Sequence, residues 1–445
     1  MNRNSSKILI LCSPSAGILD SWLPVVKRIH EEYPEITFSI IFPRNRTVSE
    51  IDLDSTLLQF YEEIVDSVIF RGSKSSKWYR YDSLKQAKEH VASSWLERSL
   101  DKTLSKNRYG KYLMRYARRL FRDLDLYLYK DREVDLNDIL PSFNAIFYDV
   151  YVHRKSYNKE IISGSKGTLK FSISHGLNLL GPGTKPQKLK SADEHHKTVV
   201  FSFSENEREI HKDKYKIPEG NIVVTGIHRH DPEWVDYYIH LDEEERKAAT
   251  LFDDFIFVIS RPDTTDYHPT DRMKKSIEII RDLAVGKLNV KIVVKLHPKE
   301  KNRGLYEEVL GEDNYGKTWS YSNAHPFTIG NKCLFAVSYF SGVPIDLITM
   351  GVPTIEILDL RGIEKYEKLE NRKDETGAPM LYFRYHNLVL GASTKEEFFK
   401  QTEKILLSKK EVNSKLRQSY ENIYKSPEGS IRTTVARIVH ELHEE

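Results

Sequence analysis

The sequence predicts an α/β protein of two domains, each with its own parallel sheet. Short apolar runs typical of buried strands alternate with segments of helical spacing from residue 7 to residue 226, with one interruption. The alternation starts again at Phe255 and continues to Leu358. The chain has 445 residues, more than a single hydrophobic core usually holds. The charged stretch 228–250 has no strand pattern and is the best candidate for the linker.

The first domain is predicted to span residues 1–235. Its expected strands are residues 7–14, 36–43, 67–72, 145–150, 167–174, 198–204 and 221–226, with helices at 19–33 and 48–65. From residue 73 to about 140 the pattern changes to polar and Tyr-rich. We interpret this segment as a helical insertion.

The second domain is predicted to span residues 250–425. Its expected strands are residues 255–260, 290–296, 334–338, 353–358 and 382–390, with a helix at 272–283 and a short one from Gly342 to Met350. The tail from Thr394 is predicted to be helical, and residues 426–445 to form a closing helix.

Composition excludes several classes of protein. No apolar run approaches the roughly 18 residues that a transmembrane helix needs, and the first residues do not form a signal peptide. The net charge of +3 gives no global field for nucleic acid. Cys12 and Cys333 lie in apolar surroundings, which favours buried free thiols and a reducing, cytoplasmic location.

Polar residues follow successive apolar runs of the second domain. His297 precedes Pro298, which disfavours helical geometry before it and holds the histidine in an extended turn. Ser338 ends the next central run, and Ser341-Gly342 follows it. Ligands of open parallel sheets bind at the carboxyl ends of the strands. We therefore expect one site for the phosphates and sugar of an activated nucleotide.

Each of these residues also has a purely structural interpretation. Ser341 can contact a phosphate, cap the following helix, or do both. Asp346, in the first turn of that helix, can accept hydrogen bonds from ribose hydroxyls or simply complement the helix dipole. Ser260 and Arg261 end the first strand of the domain and are candidate anion contacts.

The first domain has its own candidates. An apolar run ends in His175-Gly176, where the histidine could act as a general base or a phosphate ligand. Asp149 ends the preceding strand and would face the same crevice if the two strands are close; otherwise it only forms a turn. Arg229 could pair with a phosphate or, equally, with Asp231 on the surface.

We find no motif for a metal or a cofactor. There is no spaced His/Cys cluster, and the Gly-rich phosphate signatures are missing, so we expect neither group. Eight Lys and Arg residues lie between residues 102 and 122 with no Asp or Glu, and Tyr and Leu recur at helical spacing. This basic amphipathic helix, 102–124, could lie on an anionic membrane or pack its aromatic face on its own domain.

With these motifs, the chain resembles glycosyltransferases of the GT-B fold over roughly residues 145–440. The closest pattern is that of the CDP-glycerol glycerophosphotransferase-like group and related surface-polysaccharide and capsule transferases. Val224-Thr-Gly226-Ile-His-Arg-His-Asp231 resembles the group's Thr-Gly-x-x-Arg-x-Asp stretch. Ser341-Gly-Val-Pro-Ile-Asp346, followed by Gly351-Val-Pro353, resembles its Ser-Ser-x-x-x-Glu/Asp segment with Gly-x-Pro.

The resemblance implies two Rossmann-like domains that face a cleft. The nucleotide would lie on the second domain, with phosphate on His297, Ser338 and Ser341 and ribose on Asp346. His175 would act near the transferred group, and no metal would be needed. The implied partners are a nucleotide-activated donor, CDP- or CMP-linked, and a glycan or lipid-linked glycan acceptor at the inner face of the membrane.

Other interpretations stay open. The His-Pro and paired Ser also resemble bacterial sialyltransferases, but their acidic base motif is missing and Asp149 is the only substitute we identify. A UDP-sugar 2-epimerase has the same fold and needs no acceptor. A non-catalytic carbohydrate-binding or membrane-associated scaffold is the third alternative, and the cluster of polar strand ends argues against it.

Overall fold

The computed structural model describes most of the chain. It covers residues 6–13, 17–43, 55–72, 77–91, 129–149, 156–165, 167–174, 197–240, 252–262, 269–297, 300, 304–363, 373–374 and 377–444. These residues form two compact units. The first contains residues 6–174, 197–228 and 429–444, and the second contains residues 229–428.

The strands are named in chain order. They are β1 (Ser6–Leu11), β2 (Ile36–Phe42), β3 (Val65–Arg71), β4 (Trp78–Tyr81), β5 (Glu133–Val134), β6 (Ala145–Asp149), β7 (Leu169–Ile173), β8 (Thr198–Ser202), β9 (Ile222–Val224), β10 (Phe255–Ile259), β11 (Lys291–Lys295), β12 (Trp319–Tyr321), β13 (Phe335–Ser338), β14 (Thr354–Ile357) and β15 (Leu390–Ala392).

The α-helices are named in the same way. They are α1 (Gly17–Glu32), α2 (Ser55–Ile64), α3 (Leu136–Ile139), α4 (Ser156–Gly164), α5 (Glu205–Tyr215), α6 (Pro232–Ile239), α7 (Thr270–Arg281), α8 (Gly304–Leu310), α9 (Pro326–Gly330), α10 (Val343–Thr349), α11 (Tyr382–Tyr385), α12 (Lys395–Glu421) and α13 (Ser430–Glu444).

The described strands of the first unit form one sheet in the order β5-β4-β3-β2-β1-β6-β7-β8-β9. From β3 to β9 every neighbouring pair is parallel. The pairs β3–β4 and β4–β5 are antiparallel. The predicted α/β class with parallel sheets is therefore confirmed for this unit.

The Tyr-rich segment 73–140 departs from the helical prediction at both of its ends. Trp78–Tyr81 and Glu133–Val134 are strands that extend the sheet, and short helical turns follow them. Aromatic side chains favour a pleated surface, and here they pack against neighbours such as Phe70, whose ring stacks 5.7 Å from that of Tyr81. Residues 92–128, including the basic helix 102–124, lie outside the described residues.

The core of the first unit is built around β1. Ile8 to Leu11 are fully buried, as expected for a strand covered on both faces. On one face Trp22 of α1 stacks on Phe147 of β6 at a centroid distance of 4.2 Å. Because α13 also packs on α1, the predicted closing helix belongs to this unit.

The second unit has a fully parallel sheet in the order β12-β11-β10-β13-β14-β15. Its core contains Phe255, Phe257, Val293, Ala336 and Leu347. Here too the predicted parallel architecture is confirmed. The central strand β10 lies between β11 and β13, which places the ends of these three strands side by side.

The predicted last strand, 382–390, is wrong. Its first part is the short helix α11, and the strand β15 begins only at Leu390. The buried Arg384 explains the difference, because Nη2 donates to the carbonyls of Glu356, Leu358 and Ala392. From α11 its guanidinium joins the ends of β14 and β15, and local propensity does not reveal such a contact between distant segments.

The chain leaves the first unit between His228 and Arg229. The first domain was predicted to extend to residue 235, but α6 packs within the second unit, where the ring of Tyr238 lies 4.5 Å from that of His325. Cys12 and Cys333 are both buried free thiols, as predicted. Burial raises the pKa of the Cys333 thiol to about 12.

Candidate functional site

The ends of three neighbouring strands meet at the carboxyl edge of the second sheet. Ile259 of β10 pairs in register with Lys295 of β11 and with Ser338 of β13. Ser260 follows β10 directly and His297 comes two residues after the end of β11, so the structure brings them to the same edge as Ser338. This is the edge at which ligands of open parallel sheets bind.

The turn after β13 is organised by two serines. The Ser341 backbone N–H donates to Ser338 Oγ at 3.3 Å, and the Val343 N–H donates to Ser341 Oγ at 3.4 Å. Both serines are buried, and Gly342 is the N-cap residue of α10. Ser341 thus bonds to the first residue of the helix, although the N-cap position belongs to Gly342 and carries no side-chain cap bond. That contact does not prevent its hydroxyl from donating to a ligand.

Phe340, inside this turn, has a left-handed backbone with φ of +66°. For a residue with a Cβ atom, this conformation costs about 1–2 kcal/mol. Its ring packs at 5.4 Å from that of Phe383 and against the buried cluster of Leu358, Leu360 and Leu381. The surrounding packing therefore stabilises a strained turn at the edge of the sheet, a feature that is common at functional sites.

Arg261 fixes the same turn from the neighbouring strand. Its Nη1 donates to the Phe340 carbonyl at 2.8 Å, and its guanidinium carbon lies 5.6 Å from the Phe340 ring centroid. Sequence alone suggested an anion contact for Arg261. The structure gives it a backbone partner at the predicted phosphate site, which places a permanent positive charge there.

Ser260 has a partner that sequence reasoning did not identify. Its hydroxyl donates to Glu300 Oε2 at 3.0 Å, and the Glu300 N–H donates to the His297 carbonyl at 2.8 Å. Glu300 and His297 are both half-buried, so both are within reach of a solute. The one signal in the sequence is that Glu300 follows His297 by three residues.

Asp346 is bound differently from the prediction. Its Oδ1 accepts from Arg229 Nε at 2.8 Å and lies 2.6 Å from His230 Nε2. The side chain is 6 % exposed, and that of His230 is fully buried. Arg229 therefore pairs with Asp346, and the carboxylate of Asp231 caps α6.

The buried cluster continues into the interior of the second unit. His230 Nδ1 lies 2.9 Å from the Tyr420 hydroxyl. Burial is the main cause that raises the pKa of Tyr420, which keeps the phenol neutral. A cavity of about 300 Å³ adjoins these two residues and is also lined by Thr349 and Arg417.

The carboxyl edge of the first sheet has different functional groups, mainly buried carboxylates. β6 and β7 are adjacent and parallel, so Asp149 and Ser174 end neighbouring strands. Asp149 is 2 % exposed. The Ser174 hydroxyl donates to Glu207 Oε1, and the Phe203 N–H donates to Glu207 Oε2 at 2.7 Å. His175, the next residue along the chain, and Gly176 lie outside the described residues.

Further along this edge, Asn158 Nδ2 of α4 donates to Ser13 Oγ at 3.2 Å. Within the described parts of both units, no cluster of His, Cys, Asp and Glu could hold a metal ion. None of the helices in these parts is long and apolar enough to cross a bilayer.

Taken together, the two sheets and the polar edge of the second sheet define the class of fold. It is the two-domain, Rossmann-like GT-B fold, and ligands of open parallel sheets bind at the carboxyl ends of the strands. No protein-family model matches the sequence, and no curated protein matches it.

Solved structures agree with this fold. UDP-GlcNAc 2-epimerase from Neisseria meningitidis, bound to UDP-GlcNAc, is similar with a TM-score of 0.55 at 12% identity, over 98% of this chain and 100% of that chain. A variant of the wall teichoic acid polymerase TagF is similar with a TM-score of 0.55 at 11% identity, over 99% of this chain and 90% of that chain. The same TagF variant soaked with CDPG has a TM-score of 0.54, also at 11% identity and over the same shares of both chains. The fold is thus one that serves both transferases and nucleotide-sugar epimerases.

Proposed function

We propose that the protein is a transferase that moves a sugar or a polyol-phosphate group from a nucleotide-activated donor to a cell-surface glycan acceptor. The observation that carries the proposal is the carboxyl edge of the second sheet. There Ser260, His297, Ser338 and Ser341 lie together with the guanidinium of Arg261. Hydroxyl, imidazole and guanidinium groups at adjacent strand ends are well suited to a diphosphate.

In this proposal the second unit holds the donor. Ser338, Ser341, Gly342 and His297 contact its phosphates. Hydrogen-bond donors placed before the reaction stabilise the charge that develops on the leaving phosphate, and such a donor is typically worth about 10²–10³ in kcat. We therefore propose a metal-independent enzyme without a cofactor. Turnover that survives EDTA is the expected result.

His175 of the first unit is proposed to act beside the transferred group, as a base toward the acceptor hydroxyl or as a phosphate ligand. Asp149 is its proposed partner, because β6 and β7 are neighbours. A CDP- or CMP-linked donor is favoured by the resemblance of Ser341–Asp346 to the glycerophosphotransferase group. TagF, whose structure was soaked with CDPG, supports the same choice.

The proposed acceptor is a glycan or lipid-linked glycan on the inner face of the membrane. The basic segment 102–124 is the proposed contact with anionic lipid, which places a cytoplasmic protein peripherally on the membrane. Sedimentation with phosphatidylglycerol vesicles tests this part. Absence of binding at low salt contradicts the membrane contact without affecting the donor site.

A second candidate is a UDP-sugar 2-epimerase. It is favoured by the structural similarity to UDP-GlcNAc 2-epimerase, whose TM-score of 0.55 equals that of TagF. The transferase needs an acceptor for the transferred group, whereas the epimerase needs none. Conversion of UDP-GlcNAc by the protein alone supports the epimerase and contradicts the transferase.

A thermal-shift screen with CDP, CMP, UDP and GDP tests the donor site. A ligand that binds only the folded protein at 100 times its Kd adds about 2.7 kcal/mol of stability. We expect the largest shift with a cytidine nucleotide. If UDP alone shifts the melting temperature, the epimerase is favoured, and if none of the four does, the proposed nucleotide site is wrong.

A further inference from the structure

The turn between β13 and α10 contains a residue whose backbone conformation the sequence does not explain. Phe340 has a positive φ of +66°, which residues with a bulky side chain rarely adopt. Among the described residues, four others that are not glycine share a positive φ: Lys197, Lys216, Asn289 and Asn387. Lys216 and Asn289 end helical segments, where the left-handed conformation is common. Phe340 follows a strand, so its backbone needs another explanation.

The peptide unit between Phe340 and Ser341 is held at both of its polar ends. Its carbonyl accepts from Arg261 Nη1 at 2.8 Å, and its N–H donates to Ser338 Oγ at 3.3 Å. Because the carbonyl and the N–H of a planar trans peptide point in opposite directions, these two contacts together fix the orientation of the unit. In the structure this orientation goes together with the left-handed φ of Phe340.

The same turn decides how two serine hydroxyls are used. Ser338 Oγ accepts from the Ser341 N–H, and Ser341 Oγ accepts from the Val343 N–H. Within the described part of the chain, neither hydroxyl donates its own proton to a protein acceptor, although both serines are buried. A hydroxyl that accepts from a backbone N–H keeps its O–H as a donor. The turn therefore presents two O–H donors, which suits an anion.

The side chain of Phe340 supplies the packing that keeps the strained backbone in place. Its ring lies 5.4 Å from that of Phe383 and packs against Leu358, Leu360 and Leu381. A glycine would adopt the same φ without steric cost, but it would have no side chain to hold the turn. Strained conformations persist only where the surrounding structure enforces them, and they are concentrated at functional sites.

We propose that Phe340 is a positioning residue for the phosphates of the donor. Its left-handed backbone directs the Ser341 N–H onto Ser338 and so presents the two serine hydroxyls to the anion. The inference rests on the proposed nucleotide site and adds to it a residue that acts through the serines without touching the ligand. Affinity for a diphosphate should therefore depend on the backbone conformation at position 340 and not on the aromatic ring itself.

The test separates backbone conformation from ring by comparing Phe340→Ala with Phe340→Gly. Both substitutions remove the ring, but only glycine adopts a positive φ without strain. Calorimetry measures the affinities for CDP and for UDP. We expect Phe340→Ala to weaken binding of the diphosphate roughly 5- to 30-fold, which is the equivalent of the left-handed strain, and Phe340→Gly to recover most of this loss.

Phe399 is the matched control, because it is a partly buried phenylalanine inside the helix α12. Glycine is less stable than alanine in a helix, so Phe399→Ala should melt at a higher temperature than Phe399→Gly. At position 340 the order should be reversed. Neither Phe399 variant should change the affinity for CDP or UDP. Circular dichroism gives the melting temperatures and shows that each variant is folded.

A second pair of variants repeats the contrast if Phe340→Ala does not fold. Asparagine tolerates a positive φ and a β-branched residue does not, so Phe340→Asn should bind the diphosphate more tightly than Phe340→Val.

Equal losses of affinity in folded Phe340→Ala and Phe340→Gly would mean that the ring matters and not the backbone conformation, and the inference would be wrong. It would also be wrong if neither variant lost affinity, although the donor site would then stand. If the wild-type protein binds neither CDP nor UDP, the proposed function itself fails.

Discussion

The carboxyl edges of the two sheets have the same architecture but present different hydrogen-bonding groups. In the first unit the described edge has buried carboxylates, Asp149 and Glu207, and Glu207 accepts from a hydroxyl and a backbone N–H. In the second unit the edge has His297 and Arg261 with three serines. Among the described side chains, the first edge presents mainly acceptors, whereas the second presents mainly donors beside the Glu300 carboxylate. The difference indicates that fold alone does not locate an anion site, because the described groups of the second edge offer a phosphate more hydrogen-bond donors than those of the first edge.

The largest expected effect comes from removing the imidazole at the donor edge. His297→Ala should lower kcat/KM by about 10²-fold or more, since one donor to a developing charge contributes roughly 10²–10³. His440→Ala is the matched control, because that side chain is 61 % exposed on α13, and it should leave turnover unchanged. Steady-state kinetics with circular dichroism checks both variants. Equal rates in the two variants would show that the imidazole of His297 does not contribute to turnover, and would contradict the functional difference between the two sheet edges.

The second prediction concerns acid stability, which should be limited by the first unit. Burial lowers the pKa of both His211 and His228 to about 3, from 6.5. In the unfolded chain these histidines bind protons near pH 6.5, whereas in the folded protein they do so only near pH 3. Their contribution to the free energy of unfolding is therefore fully present above about pH 6.5 and is lost as the pH falls toward 3. Each histidine contributes a slope of about 1.4 kcal/mol per pH unit within this window.

His228→Gln tests this slope in urea unfolding between pH 7 and pH 4. In the wild-type protein His228 Nε2 lies 2.6 Å from the Thr434 hydroxyl, and a glutamine can keep one such bond without titrating. The pH dependence should flatten by the contribution of one histidine, whereas exposed His440→Gln should not change it. An unaltered slope in His228→Gln would show that this histidine does not limit acid stability.

The smallest effect is expected when Glu207 is replaced, whose carboxylate bonds to the residues that follow β7 and β8 of the first unit. Glu207→Ala leaves the Ser174 hydroxyl and the Phe203 N–H without their buried acceptor and should cost about 1–3 kcal/mol. Glu205→Ala lies in the same first turn but is 71 % exposed, and it should cost much less. Urea unfolding measures both. Similar losses in the two variants would mean that Glu207 acts only as a helix-terminal charge.

Part of the site follows directly from the sequence. Ser260, His297 and Ser338 each come at the end of an apolar run, and the carboxyl ends of parallel strands share one edge. The ion pair between Asp346 and Arg229 could not be predicted from the sequence, because the two residues lie 117 positions apart along the chain. The role of Arg261 was also hidden, since its partner is a backbone carbonyl on another strand.

The sequence by itself determined the α/β class, the positions of most strands and the two buried cysteines. These features depend on local periodicity and on the burial of apolar side chains, which short stretches of chain encode. Only the tertiary structure decided that β13 lies beside β10, that Glu300 accepts from Ser260, and that Asp346 is bound by Arg229 and His230. Such contacts join segments distant in the chain, and they depend on strand order and on which buried polar groups find partners during packing.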